Sequence, residues 1–189
     1  MRLILGSESK WRRQLFADMG YSFEAVAANI DEGEILDNRP DVLAMLRAIA
    51  KSKKLQERFG GPYILLTADQ IVTVNGKFRH KPVNFAEAHQ FLESAHLHPS
   101  VTYSAIVVYN SIRRYLLADV AIAKVFFKPL PAHVIDALVD EGDVMQCAGG
   151  FTCESPLISP YIEKMEGEMD SVQGFPKKLV SKLLKAIRA

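Results

Sequence analysis

Cysteine is nearly absent from this sequence. Cys147 and Cys153 are the only two in 189 residues, too few for a disulfide scaffold or a four-cysteine zinc site. An excess of charge is missing as well: 23 Lys and Arg offset 22 Asp and Glu, for a net charge of +1. No overall field would draw the chain onto DNA or an acidic membrane, so an anionic ligand must be held by local charge. No apolar run approaches the ~18 residues of a membrane span. The start, Met1-Arg2-Leu3-Ile4-Leu5-Gly6, turns polar at Ser7 and lacks the apolar core of at least ~7 residues that a signal peptide needs. A cytoplasmic address is the expectation. Two nucleotide fingerprints are missing too, the P-loop Gly-x-x-x-x-Gly-Lys and the dinucleotide Gly-x-Gly-x-x-Gly.

What is present is ordinary globular composition, 49% hydrophobic and 24% charged, which excludes wholesale disorder. The length suits a single domain, 1–189, with two lobes. Residues 3–6 read as a buried strand, and Trp11, Leu15, Phe16 and Met19 recur at helical spacing up to Gly20. Phe23 to Ala27 suits a second strand. Pro40 opens a helix reaching about Phe59, with Val42, Leu46, Ile49 and Ala50 on one face. Residues 63–67 form a strong strand, followed by a hairpin at Asn75-Gly76. A helix over 85–95 capped by Asn84, a hairpin of strands 101–109 and 114–127, and a helix from Pro131 to Gly142 come next. A helix near 158–165 and a basic amphipathic helix over the last fifteen residues complete a mixed α/β order. The basic face of that last helix reads as solvated, because the chain carries almost no net charge.

Three places set polar groups at the ends of apolar strands, where open α/β sheets bind ligands. In the first, Ser7, Ser9, Arg12 and Arg13 lie where a strand passes into a helix. A helix N-terminus suits phosphate, and guanidinium groups grip it bidentately. In the second, Asp69 follows a strand and could hold a divalent metal or orient a water. The third is Lys81-Pro82, after the hairpin. Lys53, on the long helix, is a further cationic candidate. His96 and His98 lack a metal-binding context, and Ser7 lacks a nucleophile-elbow pattern.

In this order, these residues resemble the Maf family of nucleoside triphosphate pyrophosphatases, over Leu3 to about Leu184. The family's Ser-x-Ser-x-x-Arg-Arg is similar to Ser7 to Arg13, its Val-Asp-Glu to Ile30-Asp31-Glu32, and its Ala-x-x-Lys to Ala50 to Lys53. Its strand-ending Ser/Ala-Asp is similar to Ala68-Asp69, its Gly-Lys-Pro to His80-Lys81-Pro82, its Ala-Gly to Ala148-Gly149, and its Val-x-Gly-Leu-Pro to Val172 to Pro176. The resemblance implies an elongated, twisted mixed sheet with flanking helices, in two lobes around a deep cleft, like inosine triphosphate pyrophosphatases. It implies hydrolysis of a nucleoside triphosphate to the monophosphate and pyrophosphate with a divalent cation (Mg, Mn or Co). Asp69 would be the base, helped by Glu32, with both as metal ligands. Ser7, Ser9, Arg12, Arg13, Lys53 and Lys81 would contact phosphate. The partner is then the nucleotide, not nucleic acid or a membrane; a homodimer is left open.

Two branches of the family differ near the base. Trp11, Gln70 and Glu154 match the branch that resembles 7-methylguanosine triphosphate pyrophosphatases. N7-methylation makes guanine cationic, which an aromatic face and a carboxylate both favour. Family glycines are replaced at His80, Ala95, Tyr103 and Ser155, and added side chains can close space or strain a backbone. The alternatives are a dTTP or UTP pyrophosphatase of the same family and a low-turnover nucleotide-binding regulator of septum formation.

Overall fold

The computed structural model describes all residues, Met1–Ala189. In chain order the elements are β1 (Arg2–Gly6), α1 (Lys10–Asp18), β2 (Glu24–Ala25), α2 (Pro40–Gln56), β3 (Tyr63–Val74), β4 (Lys77–Phe78), α3 (Phe85–Glu93), β5 (Ser100–Asn110), β6 (Tyr115–Phe127), α4 (Ala132–Glu141), β7 (Ile162–Glu166), α5 (Met169–Val172) and α6 (Lys177–Arg188). One seven-stranded sheet runs β2-β1-β3-β5-β6-β7, with β4 added to β3. β1 is parallel to β2 and β3, and the other pairs are antiparallel. The fold is the expected mixed α/β class.

Side chains alternate across a strand, and β3 uses both faces. On one face Ile64, Leu66 and Ala68, with Ile106 and Val108 of β5, pack on Phe16 of α1 and Val180, Leu183 and Leu184 of α6. Further along that face Val72, Ala123 and Val125 meet Leu92 of α3 and Ile135 and Leu138 of α4. The opposite face is covered by α2: Leu43, Ala44 and Ala48 meet Ile71, Ala105 and Val107, and Leu55 meets Ile4 and Leu65. Asn75 and Gly76 both have positive φ, as a two-residue type I′ hairpin requires, and turn β3 into β4.

Three expectations are corrected. The strand read over 63–67, with Asp69 after its end, runs on to Val74, so Asp69 lies within β3, paired opposite Ala105 of β5. Residues 158–165 are not a helix. A short 3₁₀ turn, Ser159–Tyr161, leads into β7, which pairs with β6 and sets Glu166 Oε2 3.4 Å from Lys124 Nζ. Strand pairing overrides local helix spacing there. The buried face of α2 is also different. Leu43, Ala44, Ala48, Ser52 and Leu55 are buried, whereas Leu46 is exposed. Ala44 and Ala48 let the helix lie close on the sheet, and the larger Leu46 is left outside.

The strand lengths leave a gap that matters. β1 stops at Gly6, opposite Thr67. β4 begins to pair only at Thr73. Between them, Ala68–Val72 of β3 have no strand partner on that side, at the carboxyl end of parallel strand β1.

Candidate active site

A cavity of about 250 Å³ wraps around this free edge of β3. Because the strand alternates, neighbouring residues serve opposite faces. Asp69 is 4% exposed and meets α2, where Lys51 Nζ donates to its Oδ1 at 2.5 Å. Gln70 turns to the other face, where its Nε2 donates to the Val172 carbonyl at 2.6 Å. Gly174 closes against it with φ +81, and a Cβ there would stand 2.6 Å from Gln70 Oε1. Only glycine suits that approach.

The first loop delivers Arg12. Ser9 caps α1, accepting from the Arg12 amide at 3.4 Å, and donates its own amide to Ser7 Oγ at 3.2 Å. The Arg12 side chain then lies along the strand edge, donating to the carbonyls of Ala68 at 3.0 Å and Gly174 at 3.1 Å. Burial lowers its pKa, opposed by the charges of Asp69 and Glu32; a guanidinium stays protonated through such shifts. Glu32 opens a short 3₁₀ turn, Glu32–Glu34, capped by Asp31. Its Oε1 lies 2.6 Å from Lys51 Nζ and its Oε2 3.6 Å from Arg47 Nη1.

The two carboxylates are pushed apart. Burial raises the Asp69 pKa and outweighs the lowering effect of Lys51 and Arg12. Burial also pulls Glu32 up, but the hydrogen bond and charge of Lys51, with Arg47 and Arg12, win and hold it below the ordinary value. Asp69 Oδ2 is buried and has no hydrogen-bond partner.

The structure brings together Ser9, Trp11, Arg12, Glu32, Asp69, Gln70, Lys81 and Glu154, all lining the cavity. Ser7 lines an adjoining compartment with Ser9, Arg12, Glu32, Lys51 and Lys81. Trp11 is 43% exposed, and Glu154 Oε2 accepts from Thr152 Oγ1 at 2.6 Å. Two expected phosphate contacts do not line either space. Arg13 is exposed and holds the loop, its Nε donating to the Ser7 carbonyl at 3.2 Å. Lys53 is exposed on α2. The lysine that reaches both carboxylates is Lys51, with Arg47 one turn before it. Sequence reading missed both. The available signal was a second Ala-x-x-Lys, Ala48 to Lys51, three residues beyond a buried alanine and four before buried Leu55.

A family model described as Maf-like protein matches residues 2–187. The chain belongs to the Maf family. It is 35% identical, over 98% of its own length and 96% of the relative's, to a protein named 7-methyl-GTP pyrophosphatase from Dictyostelium discoideum. Among solved structures it overlaps a nucleoside-triphosphatase / dITP/XTP pyrophosphatase from Mycobacterium abscessus, with a TM-score of 0.42 and 12% identity over 70% of this chain and 75% of that one. A HAM1 protein from Coxiella burnetii gives 0.39 and 12% over 67% and 73%. Both overlaps are partial.

The four positions where the family resemblance implies glycine accept their side chains. None of them has positive φ; the non-glycine residues that do are Asn29, Asn75 and Arg114. Ala95 is buried in the core around α3 and α4, and Tyr103 packs against the α2 side of the sheet. Ser155, next to Glu154, does not line the cavity; its Oγ accepts from the Leu157 amide at 3.2 Å. His80 is exposed and lies 3.3 Å from Glu87. No helix is long and apolar enough to cross a membrane.

Proposed function

We propose that this Maf protein hydrolyses 7-methylguanosine triphosphate between its α- and β-phosphates, releasing the monophosphate and pyrophosphate. The observation that carries the reaction is Asp69: a buried carboxylate with an unpartnered oxygen, lining a cavity ringed by Arg12, Lys51 and Lys81. Its raised pKa suits a base, because proton transfer is most effective when the base is not too weak. Glu32, held ionised, is the electrostatic partner. Two carboxylates driven apart in this way divide acid–base roles between them.

Asp69 takes a proton from a water that attacks the α-phosphorus in line. A new oxygen–phosphorus bond forms, and the bond to the bridging oxygen of the β-phosphate breaks. Arg12, Lys51 and Lys81 offset charge on the transferring and leaving phosphates. Ser7 and Ser9 donate to phosphate oxygens at the start of α1. The role sought from Lys53 belongs to Lys51, and Arg13 supports the loop. The base sits beyond Gln70, with Trp11 against its cationic ring and Glu154 accepting from its N–H edge.

The residues fit a divalent cation: Asp69 Oδ2 is unpartnered, and Glu32 stands beside the same lysine. No three His, Cys, Asp or Glu side chains converge, so Asp69 and Glu32 would share the ion with substrate phosphates, as Mg²⁺ sites commonly do. When bound, such an ion supplies Lewis-acid polarisation of phosphate oxygens. One domain of two lobes, acting in the cytoplasm on a free nucleotide, completes this reading.

The test is a panel of ordinary and methylated triphosphates with Mg²⁺ or Mn²⁺, scored for monophosphate and pyrophosphate. Preference for 7-methylguanosine triphosphate, abolished by Asp69→Asn with binding retained, is the expected result. A pyrimidine preference rejects the base assignment. Binding without release from any nucleotide rejects the reaction in favour of a regulator.

A further inference from the structure

A third compartment joins the cavity, and the reaction above leaves it unused. It measures about 650 Å³, within the usual range for a small-molecule site. It shares Glu32, Gln70, Val72, Lys81 and Ala148 with the main cavity, and Glu32 and Lys81 line all three spaces. The lining is of three kinds. Leu36, Leu43, Ile71 and Phe78 are apolar, Asp37 and Asn38 offer acceptors, and Arg47, Arg79, His80 and Lys81 are basic. Leu36 is 78% exposed and Phe78 44% exposed, so both present apolar surface to this space.

A bare pyrophosphate leaving group cannot use the apolar part of this surface. Phosphate gains nothing from leucine and phenylalanine, and most of the basic groups are engaged: Arg47 with Glu32, Arg79 with the Phe91 carbonyl and Ser94 Oγ, and His80 beside Glu87. A nucleoside fits: its base covers apolar surface, its ribose hydroxyls donate to Asp37 and Asn38, and it carries no charge of its own. Lys81, exposed and without an ion-pair partner among the salt bridges of the molecule, stands at the junction where a polyphosphate would pass.

We infer that the compartment takes a second nucleoside, esterified to the terminal phosphate, so that 5′,5′-dinucleoside triphosphates are also substrates. This rests on the proposed pyrophosphatase reading. Water attacks the α-phosphorus of the 7-methylguanosine half and gives up its proton to Asp69. The bond to the bridging oxygen breaks, yielding 7-methylguanosine monophosphate and a nucleoside diphosphate. No further reactant is needed.

The experiment compares 7-methylguanosine triphosphate with the dinucleotide in which 7-methylguanosine and guanosine share one 5′,5′-triphosphate, with products separated by chromatography. The expected result is 7-methylguanosine monophosphate and GDP from the dinucleotide. Phe78→Ala and Leu36→Asp should each cut dinucleotide cleavage at least about tenfold, the loss of about 1.4 kcal/mol of apolar contact. Both variants should leave turnover of the triphosphate unchanged, which also shows that they are folded. Turnover of the triphosphate with no cleavage of the dinucleotide overturns the inference and leaves the parent reading intact. So does an equal effect of the variants on both substrates. Failure on both substrates overturns the parent reading and this one with it.

Discussion

Lys51 Nζ bridges Asp69 Oδ1 at 2.5 Å and Glu32 Oε1 at 2.6 Å. One ammonium group on α2 therefore sets the positions of both carboxylates, which come from different elements. Lys51→Met should lower kcat by about 10²-fold or more, as for a lost charge-stabilising donor. Lys53→Met, at an exposed position, should stay within about twofold of wild type. Steady-state kinetics of the two variants decides between the residues. Equal losses would return Lys53 to the site.

Asp69 gives a pH prediction with a definite sign. Burial raises its pKa in the metal-free chain, and the consequence is read in stability, measured without a divalent cation. A raised folded-state pKa means that the folded chain binds the proton more tightly than the unfolded one. Stability is then highest below the ordinary carboxylate pKa and declines as pH rises through the raised value. Asp69→Asn should consequently melt above wild type at pH 8, and the gap should close toward pH 3. A variant that melts below wild type at pH 8 would contradict the dominance of burial.

Trp11 lines the cavity and leaves 43% of its surface open, so under the proposed function its ring is free to stack on the base. A cation–π contact contributes about 0.5–2 kcal/mol, so Trp11→Ala should raise KM for 7-methylguanosine triphosphate by about 2- to 30-fold. The KM for unmethylated GTP should change less. Identical changes for both nucleotides would remove the charge of the methylated base from the account.

Both thiols should be inert. Burial, reinforced by Glu154, raises Cys147 to about 11 and Cys153 to about 12. The thiolate is the reactive form, so alkylation at neutral pH should be slow in the native chain and fast after denaturation. Rapid loss of activity on brief treatment with iodoacetamide would contradict this.

Most elements were legible because their signals are local. Asn75-Gly76 specifies its hairpin, Asn84 caps α3, and the spacing of Leu179, Val180, Leu183, Leu184 and Ile187 marks the inner side of α6, where all but the half-buried Leu179 are buried. The failures arose where choice depended on a partner. The stripe Val42, Leu46, Ile49 and Ala50 is as apolar as the one that is buried, and it carries Lys53 inward. Only contact with the sheet, through Ala44 and Ala48, selects the other stripe and with it Arg47 and Lys51. Residues 162–166 likewise become a strand only because β6 offers an edge. The third compartment had no sequence signal, since Leu36 and Phe78 are isolated apolar residues in polar stretches.

The adjacency of Asp69 and Gln70 on one strand limits how this protein can diversify. A single inserted or deleted residue in that part of β3 would exchange the two faces, turning the carboxylate toward Val172 and the amide toward α2. The strand is thus closed to length change in descendants. Under the proposed function, new substrate preferences would instead arise at Trp11 and Glu154, which lie outside the strand pairing.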